Sequence, residues 1–349
     1  MNVFRRIMQG VAPIAAIAVI AGCGGSPAQS GAPAVPPAVA NELAKTMVHY
    51  LQIPRHARPA ASWMRPLKKK STLIYTADSG ADDVAVFDYP SGKLVGVLTN
   101  ISAPYGGCVD AKGDIFMSVF SPGETVEIAH GGTTIMNTYT STGEPIGCSV
   151  DKNGDLAVSS FSPGEVTVYA GGDPSKGTTY TDSNCEYQWA MGYDDRGNLM
   201  GVGEYSGIAV CALMDGSKSE TTLSTSGISI DFPGGSIWDG KYIALGDQEA
   251  GGKYVTGLHE ASLSGSQLTQ KGEAVLDASC GEFDDVNPFV LGAKNTPVNN
   301  HQGKVVVGAN TSCGSTYSIG YWHYPAGGNP YGGFVTSDAG PVIAVSIGK

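Results

Sequence analysis

The sequence VFSPGE at residues 119–124 returns 41 positions later as SFSPGE at residues 160–165. The stretch before each copy is repeated as well, as PYGGCVD at 104–110 and PIGCSVD at 145–151, with more diverged copies at 189–194 (WAMGYD) and 233–239 (PGGSIWD). Repeats of this length are typical of arrays in which each unit buries its apolar surface against the next. The chain is therefore expected to be built from similar structural units.

Each repeat contains short runs in which apolar and polar residues alternate, such as Val84–Asp88 and Val166–Tyr169. This period of two predicts antiparallel strands. About 42 residues divided into four such strands form one propeller blade. The second strands are expected to begin near six positions, with gaps of 41 to 44 residues and a last gap of 62: Ile74, Ile115, Leu156, Leu199, Ile243 and Val305.

An aspartate followed three residues later by a glycine marks the turn between the first and second strands. The aspartate carboxylate can accept hydrogen bonds from the backbone ahead of it, and glycine can adopt a positive φ in the same turn. Carboxylates that recur once per repeat are thus interpreted as structural. The residues concerned are Asp110, Asp151 and Asp194, with Gly113, Gly154 and Gly197.

The two ends of the repeat region complement each other. The first unit starts with a second strand at Leu73, whereas residues 340–347 resemble the start of a unit that no blade follows. Pairing these two strands would close the ring and remove both open sheet edges. Residues 73–349 are therefore predicted to form an all-β, six-bladed β-propeller closed by the C-terminal strand, with one insertion within residues 276–303.

The pattern Pro-x-Gly-x-x-Val-Asp-x-x-Gly-(Asp/Asn)-(Ile/Leu), followed by strands such as residues 73–78 and 84–87, resembles the NHL repeat and related six-bladed propellers. The resemblance covers nearly all of residues 73–349 and concerns architecture, because these folds include scaffolds, ligand-binding proteins, lactonases and lyases. The whole chain also resembles uncharacterised bacterial propeller lipoproteins, through SWM at 62–64, DYPSGK at 88–93 and YPAGG at 324–328.

In the gluconolactonase type of these propellers, an Asn or Asp before the repeat glycine often supplies oxygen ligands to a divalent metal on the axis. The matching positions here offer no such ligand: Tyr105, Ile146, Trp189 and Gly234. This departure argues against metal-assisted lactone hydrolysis. Acids that the loops could still bring in are Glu204, Asp247 and Glu249. The sequence therefore predicts no catalytic residue, no metal site and no cofactor, and leaves a weak structural calcium ion open.

The expected binding surface is the mouth of the propeller axis. Tyr105, Ile146 and Trp189 precede inner strands there, and their aromatic members could stack on a sugar or contact a peptide, with packing between blades as the alternative. The net charge of −11 argues against nucleic acid as a partner. The predicted function is a monomeric, non-enzymatic binding or protein-interaction module for an envelope protein, peptide or saccharide. The alternative is a lactonase-like hydrolase or lyase.

The N-terminus resembles a bacterial lipoprotein signal peptide. Within residues 1–22, two arginines precede an apolar run of about 11 residues, which is too short to span a bilayer. The run ends in IAGC, which resembles the lipobox, so Cys23 is predicted to carry lipid, with ordinary cleavage as the alternative. Residues 23–72 are rich in Pro, Ala and Gly and then basic, and are predicted to be a disordered tether. The chain is thus expected on the exported side of the bacterial cell envelope, attached to the membrane by its lipid anchor only.

Six cysteines remain when Cys23 is set aside, and an even number in an exported protein suggests disulfides. Cys108 and Cys148 fall on inner strands of neighbouring blades, where either a disulfide or two buried thiols would fit. Two other pairs are expected before this one. Cys185 and Cys211 flank one blade, and Cys280 and Cys313 bracket the insertion.

Overall fold

A computed structural model of the chain describes residues 51–53, 59–67, 71–78, 81–99, 101–248, 250, 255–277, 289–291, 304–313, 316–336 and 342–348. The helical structure in this part of the chain is a 3₁₀ turn at Ala170–Gly172, and the regular structure is otherwise strand. The fold is therefore all-β, as predicted. The predicted signal peptide, Cys23 and residues 24–50 of the predicted tether lie outside the described residues.

The strands follow the alternating runs of the repeat. Middle strands are buried along their whole length because sheets pack on both of their faces, whereas outer strands are mostly exposed. In chain order the strands are β1 (Leu51–Ile53), β2 (Trp63–Met64), β3 (Leu73–Asp78), β4 (Asp83–Asp88), β5 (Lys93–Leu98), β6 (Pro104–Val109), β7 (Ile115–Val119), β8 (Glu124–Ile128), β9 (Ile135–Thr140), β10 (Pro145–Val150), β11 (Leu156–Ser160), β12 (Glu165–Tyr169), β13 (Gly177–Thr181), β14 (Tyr187–Gln188), β15 (Gly192–Tyr193), β16 (Leu199–Glu204), β17 (Ile208–Leu213), β18 (Thr221–Ser226), β19 (Pro233–Trp238), β20 (Ile243–Asp247), β21 (Val255–Ser264), β22 (Gln267–Asp277), β23 (Phe289–Leu291), β24 (Lys304–Cys313), β25 (Thr316–Tyr324), β26 (Gly332–Thr336) and β27 (Val342–Gly348).

Hydrogen bonds join the described strands into five sheets. Two have four strands in chain order, β6-β7-β8-β9 and β10-β11-β12-β13. Two have five strands, in the orders β2-β5-β4-β3-β27 and β1-β26-β25-β24-β23. The nine-stranded sheet consists of two antiparallel halves, β14 to β18 and β19 to β22, joined by parallel pairing of β18 with β22. Successive antiparallel units of this kind give a propeller-like arrangement, while the NHL type and the count of six blades stay predictions.

The second strands begin where the repeat predicts. β7, β11, β16 and β20 start at the predicted residues, and β3 and β24 start one residue earlier. The turn before each strand explains this regularity. The Asp151 carboxylate accepts hydrogen bonds from the backbone N–H groups of Asn153 and Asp155, both at 2.8 Å, and Gly154 has a φ of 86°. Equivalent bonds form in two other repeats, so the structural role of these aspartates is confirmed.

Apolar side chains fill the space between neighbouring sheets. One cluster joins Tyr75 and Val86 of the β3-containing sheet to Met117 and Val126 of the next sheet, and all four are at most 2% exposed. Burying a side chain of this size stabilises the fold by about 1.5 to 3 kcal/mol. The core therefore lies between sheets and holds their end loops in fixed positions.

Both ends of the described chain add strands to existing sheets. β27 pairs antiparallel with β3, from Val342 opposite Asp78 to Gly348 opposite Leu73, at the edge where the sequence predicts a missing strand. β1 pairs parallel with β26 and β2 pairs antiparallel with β5. These two strands lie within the stretch expected to be a disordered tether. Runs of three and two residues are too short to show a period, and the edge of a neighbouring sheet supplies their hydrogen bonds.

One disulfide joins neighbouring sheets. Cys108 in β6 is bonded to Cys148 in β10, with the two Cα atoms 5.4 Å apart. Of the two roles left open for these residues, the disulfide is therefore the observed one. Both residues lie on the inner strands predicted for them, so the bond covalently links two consecutive units of the array.

The second disulfide lies within one unit. Cys185 is bonded to Cys211 in β17, with a Cα–Cα distance of 6.6 Å, which confirms that predicted pair. The predicted pair of Cys280 and Cys313 lies outside the described residues because Cys280 is not among them. Disulfides persist in oxidising compartments, so the bonds observed indicate an extracytoplasmic environment. No membrane-spanning helix is found among the described residues.

Candidate functional site

The strand directions place the connecting segments at two opposite ends of the sheets. Inner strands β6, β10 and β19 begin at one end, and the Asp-x-x-Gly turns lie at the other. We call the first end the loop face, with described residues 78, 81–83, 99, 101–104, 119–124, 140–145, 160–165, 181–189, 204–208, 226–233 and 247–248. We call the second end the turn face, with residues 88–93, 110–114, 129–134, 151–155, 170–176, 194–198, 214–220 and 239–242.

Backbone hydrogen bonds connect consecutive segments of the loop face. The Phe120 N–H donates to the Ala103 carbonyl at 3.1 Å, and the Phe161 N–H donates to the Glu144 carbonyl at 2.7 Å. The Gln188 N–H donates to the carbonyl of Phe161 at 3.2 Å and thereby joins two neighbouring units. These bonds fix the loops to the starts of the inner strands, so the loop face is an ordered surface.

Inner strands of the array carry a β-bulge at the positions singled out by the sequence analysis. Tyr105, Ile146 and Gly234 lie within the register shifts near the starts of β6, β10 and β19. A bulge changes the direction of a side chain relative to its strand and is frequent beside functional sites. The repeat thus places these three positions at equivalent points of the loop face.

Trp189 occupies the equivalent place in an inner strand that is split into β14 and β15. Its ring is 2% exposed and meets Phe161 edge-on at 5.2 Å and Phe232 at 5.7 Å between centroids. Ile146 is also 2% exposed. Two of the three candidate axial residues are therefore packed into the fold, and ligand binding at them stays a prediction.

The exposed part of the loop face has its own aromatic and apolar side chains. Tyr105 is half-buried, with its ring 5.4 Å from that of Phe120. Tyr205 and Ile208, in the hairpin between β16 and β17, are 60% and 39% exposed. This hairpin has no sequence signature, because a Tyr and an Ile beside a glycine have no distinctive spacing. Exposed aromatic side chains are common anchors of binding surfaces.

Charge separates sharply between the two faces. The described residues of the loop face include no Lys, Arg or His. Burial raises the pKa of one of its carboxyl groups, that of Glu144. Seven acids of the loop face are exposed or half-buried: Asp82, Glu124, Glu144, Asp182, Glu186, Glu204 and Asp231. Four more are buried: Asp78, Asp83, Glu165 and Asp247. The turn face also has acids, but each of its seven Asp-containing segments carries a basic residue: Lys93, Lys112, Lys152, Lys176, Arg196, Lys218 and Lys241.

Asp247, one of the acids considered for catalysis, is 1% exposed and holds a loop in place. Its carboxylate accepts the backbone N–H groups of Asp231 and Phe232, both at 3.0 Å, and lies 3.6 Å from Nε2 of His259. Glu204 is half-buried, and Glu249 lies outside the described residues. In the described part of the chain, no group of three or more His, Cys, Asp or Glu side chains is arranged to hold a metal ion.

Glu220 is a buried acid that the sequence analysis missed. Burial raises its pKa to about 7, a hydrogen bond from the Gln188 side chain lowers it, and the nearby Asp182 carboxylate raises it. Asp182 lies in the segment that leads into β14 and Gln188 lies in β14 itself, whereas Glu220 precedes β18. No sequence motif connects these residues, because the folded chain brings them together across 32 positions.

Comparison with solved structures identifies the fold. A chain in the crystal structure of a nidogen/laminin complex is 14% identical, with 80% of this chain and 98% of that chain covered and a TM-score of 0.55. A protein of unknown function from Bacteroides caccae is 10% identical, with 80% and 100% covered and a TM-score of 0.53. No family model and no curated protein sequence matches the chain. Because 702 solved chains resemble this fold, the likeness establishes architecture and assigns no activity.

Proposed function

We propose that this chain is a cell-envelope lipoprotein whose propeller binds another protein through the loop face, without catalysis. The observation that carries the proposal is the charge separation: the described loop face combines seven exposed or half-buried carboxylates with no basic side chain. Such a surface complements the Lys and Arg side chains of a partner and repels acidic proteins. Tyr205 and Ile208 add exposed apolar area, which a partner would bury.

The structural comparison supports a protein as the partner. The nidogen/laminin structure is a complex between proteins, and it contains a chain with this fold. A saccharide or a free peptide remains the second kind of ligand that the aromatic residues of the loop face would suit.

The architecture in this proposal is a ring of six blades closed by the C-terminal strand. It is supported by the pairing of β27 with β3 and by the division of the nine-stranded sheet into two antiparallel halves. The anchor in this proposal is lipid on Cys23, supported by the IAGC sequence and by disulfides typical of exported proteins. Mass analysis of the mature N-terminus tests it, and an unmodified Cys23 would contradict it.

Site-specific photo-crosslinking in intact bacteria tests the binding surface. A photoreactive phenylalanine analogue replaces Ile208 on the loop face or, as the control, Lys152 on the turn face of the full chain. We expect light-dependent adducts with a protein from position 208 and none from position 152. Adducts that resist protease but are cleaved by glycosidases would indicate that the partner is a saccharide and not a protein. Equal adducts from both positions, or none from position 208, would show that the loop face is not the binding surface.

The lactonase-like alternative is tested by hydrolysis of a panel of small lactones with and without calcium, zinc and manganese. We expect no turnover that a chelator removes, because Tyr105, Ile146 and Trp189 offer no oxygen ligands from their side chains. Chelator-sensitive turnover that is lost on Glu204→Gln would instead make the chain an enzyme.

A further inference from the structure

The outer edges of the sheets are the places where this fold adds strands. β1 extends the sheet of β26, β2 forms the outer strand beside β5, and β18 and β22 pair with each other. In the described part of the chain, β9 and β13 are the outer strands of four-stranded sheets and have no such neighbour. An outer strand with free backbone groups is a template for a further strand.

β13 lacks the features that usually protect such an edge. The sequence Gly177–Thr181 contains no charge and no proline, and four of its five residues are exposed. Natural edge strands are commonly blocked by lysine, proline or a bulge. The β12–β13 ladder is regular over all five residues, from Tyr169 opposite Gly177 to Glu165 opposite Thr181. The edge is therefore straight enough to accept another strand.

We propose that β13 pairs antiparallel with β13 of a second copy of this chain, with a two-fold axis at Thr179. In this register Gly177 lies opposite Thr181 of the second copy, and Thr178 lies opposite Tyr180. Threonine beside an aromatic residue is a favourable cross-strand pair. The two four-stranded sheets would then form one continuous sheet across the dimer.

Charge at the two ends of β13 favours this register and a second copy as the partner. Lys176 precedes the strand and Asp182 follows it. A two-fold axis at Thr179 places Lys176 of each copy opposite Asp182 of the other, so that the dimer gains two pairs of opposite charge. Lys176 also contacts Asp173 of its own chain at 2.9 Å, with the lysine side chain 65% exposed. β9 is flanked by Thr134 and Ser141, which provide no such complementarity.

The contact involves one strand from each copy and is therefore small compared with a standard interface. We expect a dimer that forms as the protein concentration rises. The contact uses the outer edge of one sheet and reaches the loop face only at Thr181 and Asp182, so the rest of the loop face stays open for the partner in the proposed function. The two proposals are independent.

Cysteine cross-linking of the full chain tests the register. Antiparallel pairing about Thr179 brings the two Thr179→Cys side chains directly opposite each other, about 5 Å apart at Cβ. Two Thr181→Cys residues would be about 14 Å apart along the strands, beyond the reach of a disulfide. After mild oxidation with copper phenanthroline, we expect T179C to give a covalent dimer that increases with concentration, and T181C and the unchanged chain to give none. Equal cross-linking of T179C and T181C, or none from folded T179C, would overturn the proposal.

Sedimentation velocity supplies a second measurement that needs no cross-link. Thr179→Lys places a charge on the two-fold axis, whereas Thr138→Lys places the same charge on the edge of β9. We expect T179K to shift the full chain to monomer and T138K to leave the dimer intact. The opposite result would mean that a different edge is used, and a monomer of the unchanged chain at every concentration would mean that neither edge pairs.

Discussion

The loop face and the turn face use the same residue types for different purposes. On the turn face, Asp151 and its equivalents stand two and four residues before the N–H groups that they bind, so their carboxylates are used in turns. Loop-face acids such as Glu124 and Glu204 stand at strand ends. Burial and the backbone N–H groups within reach decide whether a carboxylate supports the fold, as those of Asp151 and the loop-face Asp247 do, or lies on the surface, as that of Glu186 does.

The comparison also separates stability from recognition. Basic residues accompany the acids of the turn face, whereas no basic residue accompanies them in the described loop face. Concentrating like charge on one surface costs some stability through repulsion. The exposed acids and Tyr205 of the loop face are the features on which the proposed binding function rests.

The largest effect is expected from deleting residues 340–349. β3 is buried along its whole length and pairs with β27. Without β27 its backbone groups would lose their partners at an open edge, and the proposed ring would be open there. We expect the cooperative thermal transition to collapse, affecting both faces. A chain lacking only Lys349 is the control, and an unchanged melting profile after the larger deletion would contradict closure by this strand.

The next largest effect on stability is expected from replacing Glu220, whose partners Gln188 and Asp182 lie in a loop-face segment. Its pKa is raised to about 7, so the folded chain keeps a proton that the unfolded chain releases near pH 4.5. The resulting stability is present below pH 4.5 and is lost as the pH rises to about 7, in total on the order of 3 kcal/mol. We expect Glu220→Gln to remove this pH dependence of the free energy of unfolding, as measured by urea unfolding between pH 4 and 8. The exposed Glu186→Gln is the control and should retain the slope.

A smaller effect is expected from removing the anchor of a loop-face segment. Asp247→Ala leaves the N–H groups of Asp231 and Phe232 without their acceptor, and we expect a loss of about 2 kcal/mol. Asp247→Asn retains one carbonyl acceptor and should lose less. Urea unfolding of the three chains measures the difference. Equal stabilities of the alanine and asparagine variants would show that these hydrogen bonds do not hold the segment.

A still smaller loss of stability is expected from replacing an aspartate in a turn of the turn face. Asp151→Ala removes the acceptor for two backbone N–H groups in a partly exposed turn, and we expect a loss of about 1 kcal/mol, similar to that of a helix N-cap. Asp151→Asn keeps the acceptor and should be nearly neutral. A loss as large as that of Asp247→Ala would mean that the two faces do not differ in how strongly their acids support the fold.

The sequence could predict the parts of the fold that repeat. The starts of β7, β11 and β16 follow from the Asp-x-x-Gly turns, and the start of β20 follows from a shorter turn at Asp239, because local hydrogen bonds fix them. β1 and β2 could not be predicted, because their partners are distant strands and their runs are short. The Cys108–Cys148 bond stayed open, because sequence gives positions on strands but not the distance between them.

The candidate site could be predicted only in part, because the repeat gives positions along the strands but not the contacts between distant segments. The repeat locates Tyr105, Ile146 and Trp189 at equivalent points, but their exposure depends on what packs above them. Trp189 is covered by Phe161 and Phe232 from neighbouring segments. Tyr205 is exposed because the hairpin before β17 extends beyond the sheet. Contacts between distant segments decide both outcomes, and no local pattern encodes them.

The smallest effect on stability is expected from exposed side chains of either face, and it provides the sharpest comparison between them. Tyr205 is 60% exposed, and Lys152 makes one exposed hydrogen bond, from Nζ to the Asp195 carbonyl at 3.1 Å. Surface substitutions of this kind usually change stability by less than about 0.5 kcal/mol. We therefore expect Tyr205→Ser and Lys152→Ser to melt like the unchanged chain.

The effects of the two substitutions on binding should differ, because only Tyr205 belongs to the proposed binding surface. With the photoreactive residue at position 208, Tyr205→Ser should reduce the yield of protein adducts several-fold, and Lys152→Ser should leave the yield unchanged. Equal yields from the two variants would remove the functional distinction between the faces, even if their charges differ.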